Sequence, residues 1–538
     1  MKKIFTKKIL STVTAGVMIM LSGSSIAYAK THFTQEQLAY MPAVKLIELF
    51  KKGETTPSEV LEAQIKRVKE YNGEYNVSRR DLVNELDTFN VGKVNAITYD
   101  KFDEARKLAK EADARYRNGT ARKLEGITVA IKDENEVKGW TVDYATIPMK
   151  DNQPCQHDGA MIEKLRNEGA IFVFQTTVPE LYISPMTWSR LYGVTRNPWN
   201  LHYGVGGSSG GSGAALAAGF CTLATGSDMG GSIRIPASMN GIYGFKPPYG
   251  RVATSNNVYE TYGPMARTFA DMVLMQNVIT GPSAKVHSSI RPKLDYPQKY
   301  DSLKGQKVAV TYFKNWLKEG LSQESDHSID VVSAALKKAG AQVVAIELDI
   351  DSEHFLPTYF KGLMSTNMYE LFKNMNAAQK EDVFSAYATN LYKKFGTLTP
   401  QDQVNADALL VKLHNIIQEE VFGKGCIALV MPTLATPHFP ADLESTDDKS
   451  KRAELHDGKY AGENLILTPL WNLASRYPVV TVPVELSGKN VPVGVQIVAN
   501  TYDDLNAFRV AYALSKVIEP LYTDGRFPDF RNSEKGAN

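Results

Sequence analysis

Cysteine is scarce in this chain. Cys155, Cys221 and Cys426 are the only three among 538 residues, odd in number and far apart, which leaves no disulfide framework and no paired-cysteine zinc pattern. An excess of one charge is missing too: 61 Lys and Arg face 59 Asp and Glu, so the formal net charge is only +2, and no polyelectrolyte face for nucleic acid follows. The apolar run from Ile9 to Leu21 is too short to span a bilayer comfortably. No Gly-Lys-Ser/Thr closes a glycine run, which removes the lysine and magnesium ligand of a phosphate-binding loop. There is also no internal repeat, heptad pattern or low-complexity tail.

The first 29 residues read as a targeting segment. Lys2, Lys3, Lys7 and Lys8 precede the apolar run, and Ala27-Tyr28-Ala29 supplies a small-x-small site, so cleavage after Ala29 is expected. No cysteine near that site offers a lipid anchor, and the alternative is an uncleaved N-terminal anchor. Removing four lysines takes the 61 basic residues to 57 against 59 acidic ones, a net of −2. The expected location is secreted or cell-envelope, with no membrane contact after cleavage.

With 43% hydrophobic and 22% charged residues the remainder is an ordinary globular protein with material for a large core. Thr56-Pro57-Ser58-Glu59 forms a capping box with proline at the first helical position, and Val60, Leu61, Ile65 and Val68 make one apolar stripe behind it. Residues 72–93 read as a polar surface insertion and Phe102 to Tyr116 as a helix. Gly126 to Asp133 reads as a buried β-branched strand ending in Lys132, followed by a helix at Ala160 to Glu168 and a strand at Ala170 to Phe174. This alternation predicts an α/β sheet flanked by helices. Further strands are expected at Val308 to Val310, Gln342 to Ile346, Ile427 to Met431, Val479 to Val484 and Pro492 to Ile497, with helices at Asp330 to Ala339 and through much of Thr358 to Val421.

Chemistry concentrates between Gly204 and Val252. Two clusters, Gly206-Gly207-Ser208-Ser209-Gly210-Gly211-Ser212 and Gly226-Ser227-Asp228-Met229-Gly230-Gly231-Ser232, flank a small-residue run from Ala214 to Phe220 that reads as a close-packed buried helix. Glycine lets successive backbone N–H groups converge on one point, which suits an oxyanion. Leu216, Phe220, Leu223, Ile233, Ile235 and Phe245 interrupt the small residues and rule out a flexible linker. Gly206 to Gly210 also satisfies G-x-S-x-G, so a Ser-His-Asp hydrolase using Ser208 is one alternative. His287, His327, His354, His414, His438 and His456 follow it, none in a catalytic context.

The whole of Gly206 to Arg251, including Ile233-Arg234-Ile235-Pro236-Ala237 and Gly244-Phe245-Lys246-Pro247, resembles the signature of the amidase signature hydrolases. Lys132-Asp133, Asn197-Pro198-Trp199-Asn200, Pro432-Thr433, Val482-Pro483 and Pro492-Val493-Gly494-Val495-Gln496 extend the likeness from about Ala96 to Ala513. The resemblance implies an α/β fold with a large mixed central β-sheet flanked by helices on both faces, in one domain over residues 30–538, with a catalytic core at about 95–282 and 460–515 and a variable segment at about 283–459. It implies a Ser-Ser-Lys triad: Ser232 as nucleophile, Ser208 as a bridging serine on a cis peptide bond, and Lys132 as base. A serine needs an adjacent base, and lysine serves only when neutral, a state that burial favours. The backbone N–H groups of Met229, Gly230, Gly231 and Ser232 are implied as the oxyanion hole, with Asp228 and Arg234 supporting the turn or forming a plain ion pair.

A small-molecule amide substrate follows from the resemblance, and no metal or cofactor. A catalytically idle binding protein on the same fold is the other alternative. Ser209 and Ser212 read as turn residues, and Tyr144, Trp188, Tyr203 and Tyr259 as candidates for a pocket. Ser227 stands where the family commonly has threonine, Pro248 also replaces threonine, and Phe174-Gln175-Thr176-Thr177 departs from the usual Gly-Lys-Thr-Asn. A secretory signal argues against a tRNA-amidotransferase glutaminase.

Overall fold

The computed structural model describes residues 33–76, 92–254, 257–366, 383–395, 397–441, 454–456, 459–460 and 465–533. The targeting segment and most of the 72–93 insertion lie outside the described residues. Among the described residues, eleven strands form one sheet. In chain order they are β1 (Ile97–Asp100), β2 (Thr128–Lys132), β3 (Ile171–Thr176), β4 (Leu223–Asp228), β5 (Tyr243–Lys246), β6 (Thr261–Ala266), β7 (Lys307–Val310), β8 (Gln342–Ala345), β9 (Cys426–Pro432), β10 (Val479–Leu486) and β11 (Pro492–Ala499). Their spatial order is β1-β3-β2-β4-β6-β5-β10-β11-β9-β7-β8. The sheet is mixed: β3, β2 and β4 run parallel, as do β9, β7 and β8, while the strands between them pair antiparallel.

Alternation along the strands divides the core into two faces. Val129 and Ile131 of β2, Val480 and Val482 of β10 and Ala428 and Val430 of β9 belong to one apolar cluster, packed under the helices Phe269–Ile279, Gln323–Lys338 and Asp504–Ser515. Ala130, Leu429, Val479 and Val498 point the other way. They meet the helices Gly210–Ala217 and Arg234–Asn240. Helices therefore cover both faces. Each fully buried valine or leucine contributes about 1.5–3 kcal/mol, so the sheet is stabilised from both sides.

The capping box at Thr56 is present, with both reciprocal hydrogen bonds, and starts the helix Pro57–Tyr71. The helix expected from Asp330 begins earlier, at Gln323, because the Ser322 side chain caps it by accepting from the Ser325 N–H. The central segment holds the helices Ser352–Thr366, Ala386–Phe395 and Pro400–Ile417. Cys155, Cys221 and Cys426 are all free thiols.

Candidate active site

The parallel pairing of β2 with β4, in register at Val129 with Leu223 and Ala130 with Ala224, brings their carboxyl ends out side by side. That edge is where open α/β sheets bind ligands. Lys132 ends β2 and Asp228 ends β4; the Lys132 N–H donates to Thr225 Oγ1 at 2.9 Å. Beyond Asp228 a short turn carries Met229 to Ile233 into the helix Arg234–Asn240. The other glycine cluster enters the helix Gly210–Ala217, and its Gly207–Ser208 peptide bond is cis.

Ser209 knits the two clusters together. Its N–H donates to the Ser232 carbonyl at 3.2 Å, and its hydroxyl oxygen accepts from the Ser227 N–H at 3.3 Å. Ser212 instead pairs with Thr176 Oγ1 at 3.0 Å, tying the helix to β3. Gly211 approaches the chain closely here: a Cβ on it would lie 2.5 Å from the Thr177 backbone.

Lys132 is wholly enclosed, Ser208 is 1% exposed, and Ser232 at 8% is the member of the three that opens outward. The Lys132 ammonium group has three donors and three acceptors in reach: Ser208 Oγ at 2.8 Å, Ser227 Oγ at 2.6 Å and Glu134 Oε2 at 2.6 Å. The Tyr182 ring centroid lies 5.0 Å from the same nitrogen. Ser227 in turn donates to Glu134 Oε2 at 2.5 Å. Burial alone pushes the Glu134 carboxyl up, but the Lys132 charge and hydrogen bonds with Glu260, Lys132 and Ser227 bring it below the usual carboxylate range. Lys132 and Ser208 are thus in contact, whereas the Ser232 hydroxyl makes no hydrogen bond among the described residues. The strand around Lys132 is apolar and buried, yet its head group meets a carboxylate that the sequence reading did not include.

Asp228 organises the turn that carries Ser232. Its Oδ1 accepts from the Gly231 N–H at 2.9 Å and Arg234 Nη2 at 2.8 Å; its Oδ2 accepts from Arg234 Nε at 2.9 Å and the Ile233 N–H at 3.2 Å. Both side chains are fully buried. Burial raises the Asp228 carboxyl, but the Arg234 charge and hydrogen bonds from Arg234 and Asn472 hold it below its ordinary value. Arg234 is saturated further by donating to the Thr468 carbonyl, Gln496 Oε1 and Asn472 Oδ1.

Two hydroxyls hold the outer side of the turn: Tyr359 donates to the Met229 carbonyl, and Thr468 Oγ1 donates to the Gly230 carbonyl at 2.6 Å. The four N–H groups implied as an oxyanion hole are not equivalent. That of Gly231 is taken by Asp228, while those of Gly230 and Ser232 have no partner among the described residues.

Of the aromatics suggested for a pocket, Tyr144 packs on Tyr182 at 5.1 Å and Tyr259 edge-on to Tyr359 at 6.3 Å, both beside the site. Trp188 packs on Tyr387 and Tyr203 on His438, and both are buried in the structure. Ser208 hydrogen-bonds to no histidine among the described residues; His414 is engaged by Tyr477 and His438 by Ser487. Sequence reasoning named Gln496 only within a matching stretch and missed Glu134, Tyr359, Thr468 and Asn472. Only Glu134 carried a signal, standing two residues beyond the strand-end lysine.

A family model described as Amidase matches residues 86–507. A glutamyl-tRNA(Gln) amidotransferase component from Saccharolobus solfataricus is 31% identical over 487 residues, covering 82% of this chain and 97% of that one. A bacterial aryl acylamidase of the amidase signature family superposes with a TM-score of 0.75 at 24% identity, covering 89% of this chain and 96% of that chain. The peptide amidase from Stenotrophomonas maltophilia superposes with a TM-score of 0.71 at 21% identity, covering 92% of this chain and all (100%) of the other. The mixed sheet with helices on both faces is accordingly the fold of the amidase signature enzymes.

Proposed function

Since the chain belongs to the amidase family and is an amide-hydrolysing enzyme, we propose that it acts outside the cytoplasm on small carboxamides, with Ser232 as nucleophile, Ser208 as proton relay and Lys132 as base. The observation that carries this reading is the 2.8 Å hydrogen bond between Lys132 Nζ and Ser208 Oγ beside an outward-opening Ser232. Ser232 Oγ attacks the amide carbon, its proton passes to Ser208, and the Ser208 proton passes to Lys132. The free N–H groups of Gly230 and Ser232 receive the oxyanion, and each such donor is worth about 2.7–4 kcal/mol in the transition state. The proton returns through Ser208 to the departing ammonia or amine, and water then hydrolyses the acyl-enzyme. Contacts between nucleophile and relay commonly tighten only when substrate binds. The location rests on the lysine-rich, apolar first 29 residues.

The test is Ser232→Ala. Turnover of a chromogenic anilide and labelling by a fluorophosphonate probe should both vanish while the circular dichroism spectrum is unchanged; full activity would remove Ser232 from its role. Labelling at Ser208 with one fatal histidine substitution would favour the Ser-His-Asp alternative, and no labelling at all an idle binding protein. The name of the Saccharolobus solfataricus relative favours a second reading, a component of a glutamyl-tRNA(Gln) amidotransferase. Glutamine turnover well above anilide turnover, with the protein retained in the cytoplasmic fraction, would select it.

A further inference from the structure

The relay needs Lys132 without its third proton, yet the structure gives that nitrogen three acceptors and sets a carboxylate against it. An ammonium paired in this way cannot take a proton from Ser208. Of its three acceptors only Glu134 Oε2, at 2.6 Å, is a carboxylate that can keep the proton. We infer that Glu134 is the proton acceptor that empties Lys132 for catalysis, a positioning residue that acts through the lysine and not on the substrate. The inference rests on the Ser232, Ser208 and Lys132 roles proposed above.

Two features fit this role. Glu134 is nearly enclosed, its side chain 8% exposed, so a proton placed on it is not lost at once to water. Ser227 touches both Lys132 Nζ and Glu134 Oε2, closing a triangle that holds the two heads in contact. The groups that face Glu134 are Lys132 at the end of β2, Ser227 on β4, Glu260 and Tyr262 at the start of β6, and Tyr144 and Tyr182 from the loops.

The step balances. One N–H bond of Lys132 breaks and an O–H bond forms on Glu134, so both charges disappear together. Ser232 then yields its proton to Ser208 and Ser208 yields its own to Lys132 as the acyl bond forms. The C–N bond breaks as the proton on Lys132 travels back through Ser208 to the amine. After hydrolysis the Glu134 proton returns to the lysine.

The experiment compares Glu134→Gln, Glu134→Asp and the native enzyme by anilide kinetics across about pH 5–9, with thermal melting as a folding check. If Glu134 accepts the proton, Glu134→Gln loses at least tenfold in kcat at every pH with KM within twofold, and Glu134→Asp, which keeps a retracted carboxylate, recovers part of the loss. If Glu134 only stabilises the ammonium, removing it makes Lys132 easier to deprotonate. The acid limb then moves to lower pH with an undiminished plateau, which overturns the inference. Should Glu134→Gln not fold, a Glu134→Asp variant with native kcat and profile overturns it equally. Failure of the native enzyme to react with a fluorophosphonate at Ser232 would instead defeat the reading on which this one stands.

Discussion

The Tyr359 hydroxyl donates to the carbonyl oxygen of Met229, so a helix of the central segment is fastened to the turn that presents Ser232. In a trans peptide the C=O and the following N–H point in opposite directions, so holding the Met229 oxygen also aims the Gly230 N–H. Tyr359→Phe keeps the ring against Phe355 and Tyr259 and removes only the donor. The expected result is a fall in kcat of about tenfold, equivalent to about 1.4 kcal/mol, with KM nearly unchanged. Affinity for a boronic-acid transition-state analogue should fall by the same factor. An effect on melting alone, with native kcat, would leave Tyr359 as a packing residue.

Ser227 gives a second prediction. Its hydroxyl accepts from Lys132 at 2.6 Å and donates to Glu134 at 2.5 Å, so it braces the direct contact between the two heads. Ser227→Thr keeps the hydroxyl and should retain most activity. Ser227→Ala leaves one lysine proton without its acceptor in a buried site, a cost of about 1–3 kcal/mol. It should reduce kcat by roughly tenfold to a hundredfold. Parallel kinetics of the two variants would place Ser227 outside the network.

How much of this was legible in the sequence depended on whether a residue acts through local spacing or through a distant contact. The strand that ends in Lys132 and the capping box at Thr56 announce themselves through β-branching and capping chemistry, which neighbouring residues determine. The glycine clusters, Asp228 and Arg234 are close in the chain, so an ordered pattern of residue types carries them. Strands β4, β5 and β6 are harder, because they are buried on both faces and show no polar alternation; β4 reads Leu-Ala-Thr-Gly-Ser-Asp. Tyr359, Thr468 and Asn472 reach the turn from more than a hundred residues away, and nothing in their local sequence marks them. Glu134 lies two residues from Lys132, but its meaning depends on the side chain bending back onto the lysine, which spacing alone does not specify.

Arg234 and Asp228 supply a stability prediction. Breaking a buried ion pair by removing one partner commonly costs about 3–5 kcal/mol, because the other charge is left uncompensated. Arg234→Met strands Asp228 and also frees the Thr468 carbonyl and Gln496, so a loss in that range is expected in urea unfolding at pH 7. The pH dependence has a definite sign. Asp228 is held below its ordinary value in the folded state, so its contribution is present above about pH 4, the unfolded carboxylate value, and is lost as pH falls through the lower folded one. Native protein should weaken over that acidic window, and Arg234→Met should already be weak above it.

Lys246 predicts the opposite limb. It ends β5 fully buried and donates to the carbonyls of Pro247 at 3.3 Å and Ser475 at 3.2 Å, with no carboxylate among its hydrogen-bond partners. Burial, aided by the nearby Arg234 charge and opposed by Asp228 and Asp504, lowers it to about 7. In the unfolded chain lysine titrates near about 10.4, so between these values the unfolded state holds a proton that the native state lacks. Stability must therefore rise as pH increases across that window, by up to about 1.4 kcal/mol per pH unit, and the gain is lost as pH falls toward 7. Urea unfolding at several pH values from about 7.5 to 9 stays below tyrosine titration in the unfolded chain, near about 10. Lys246→Met carries no titrating group, so its curve should lack this slope and the native stability minus that of the variant should rise with pH. Parallel curves would mean that Lys246 keeps its proton in the folded protein.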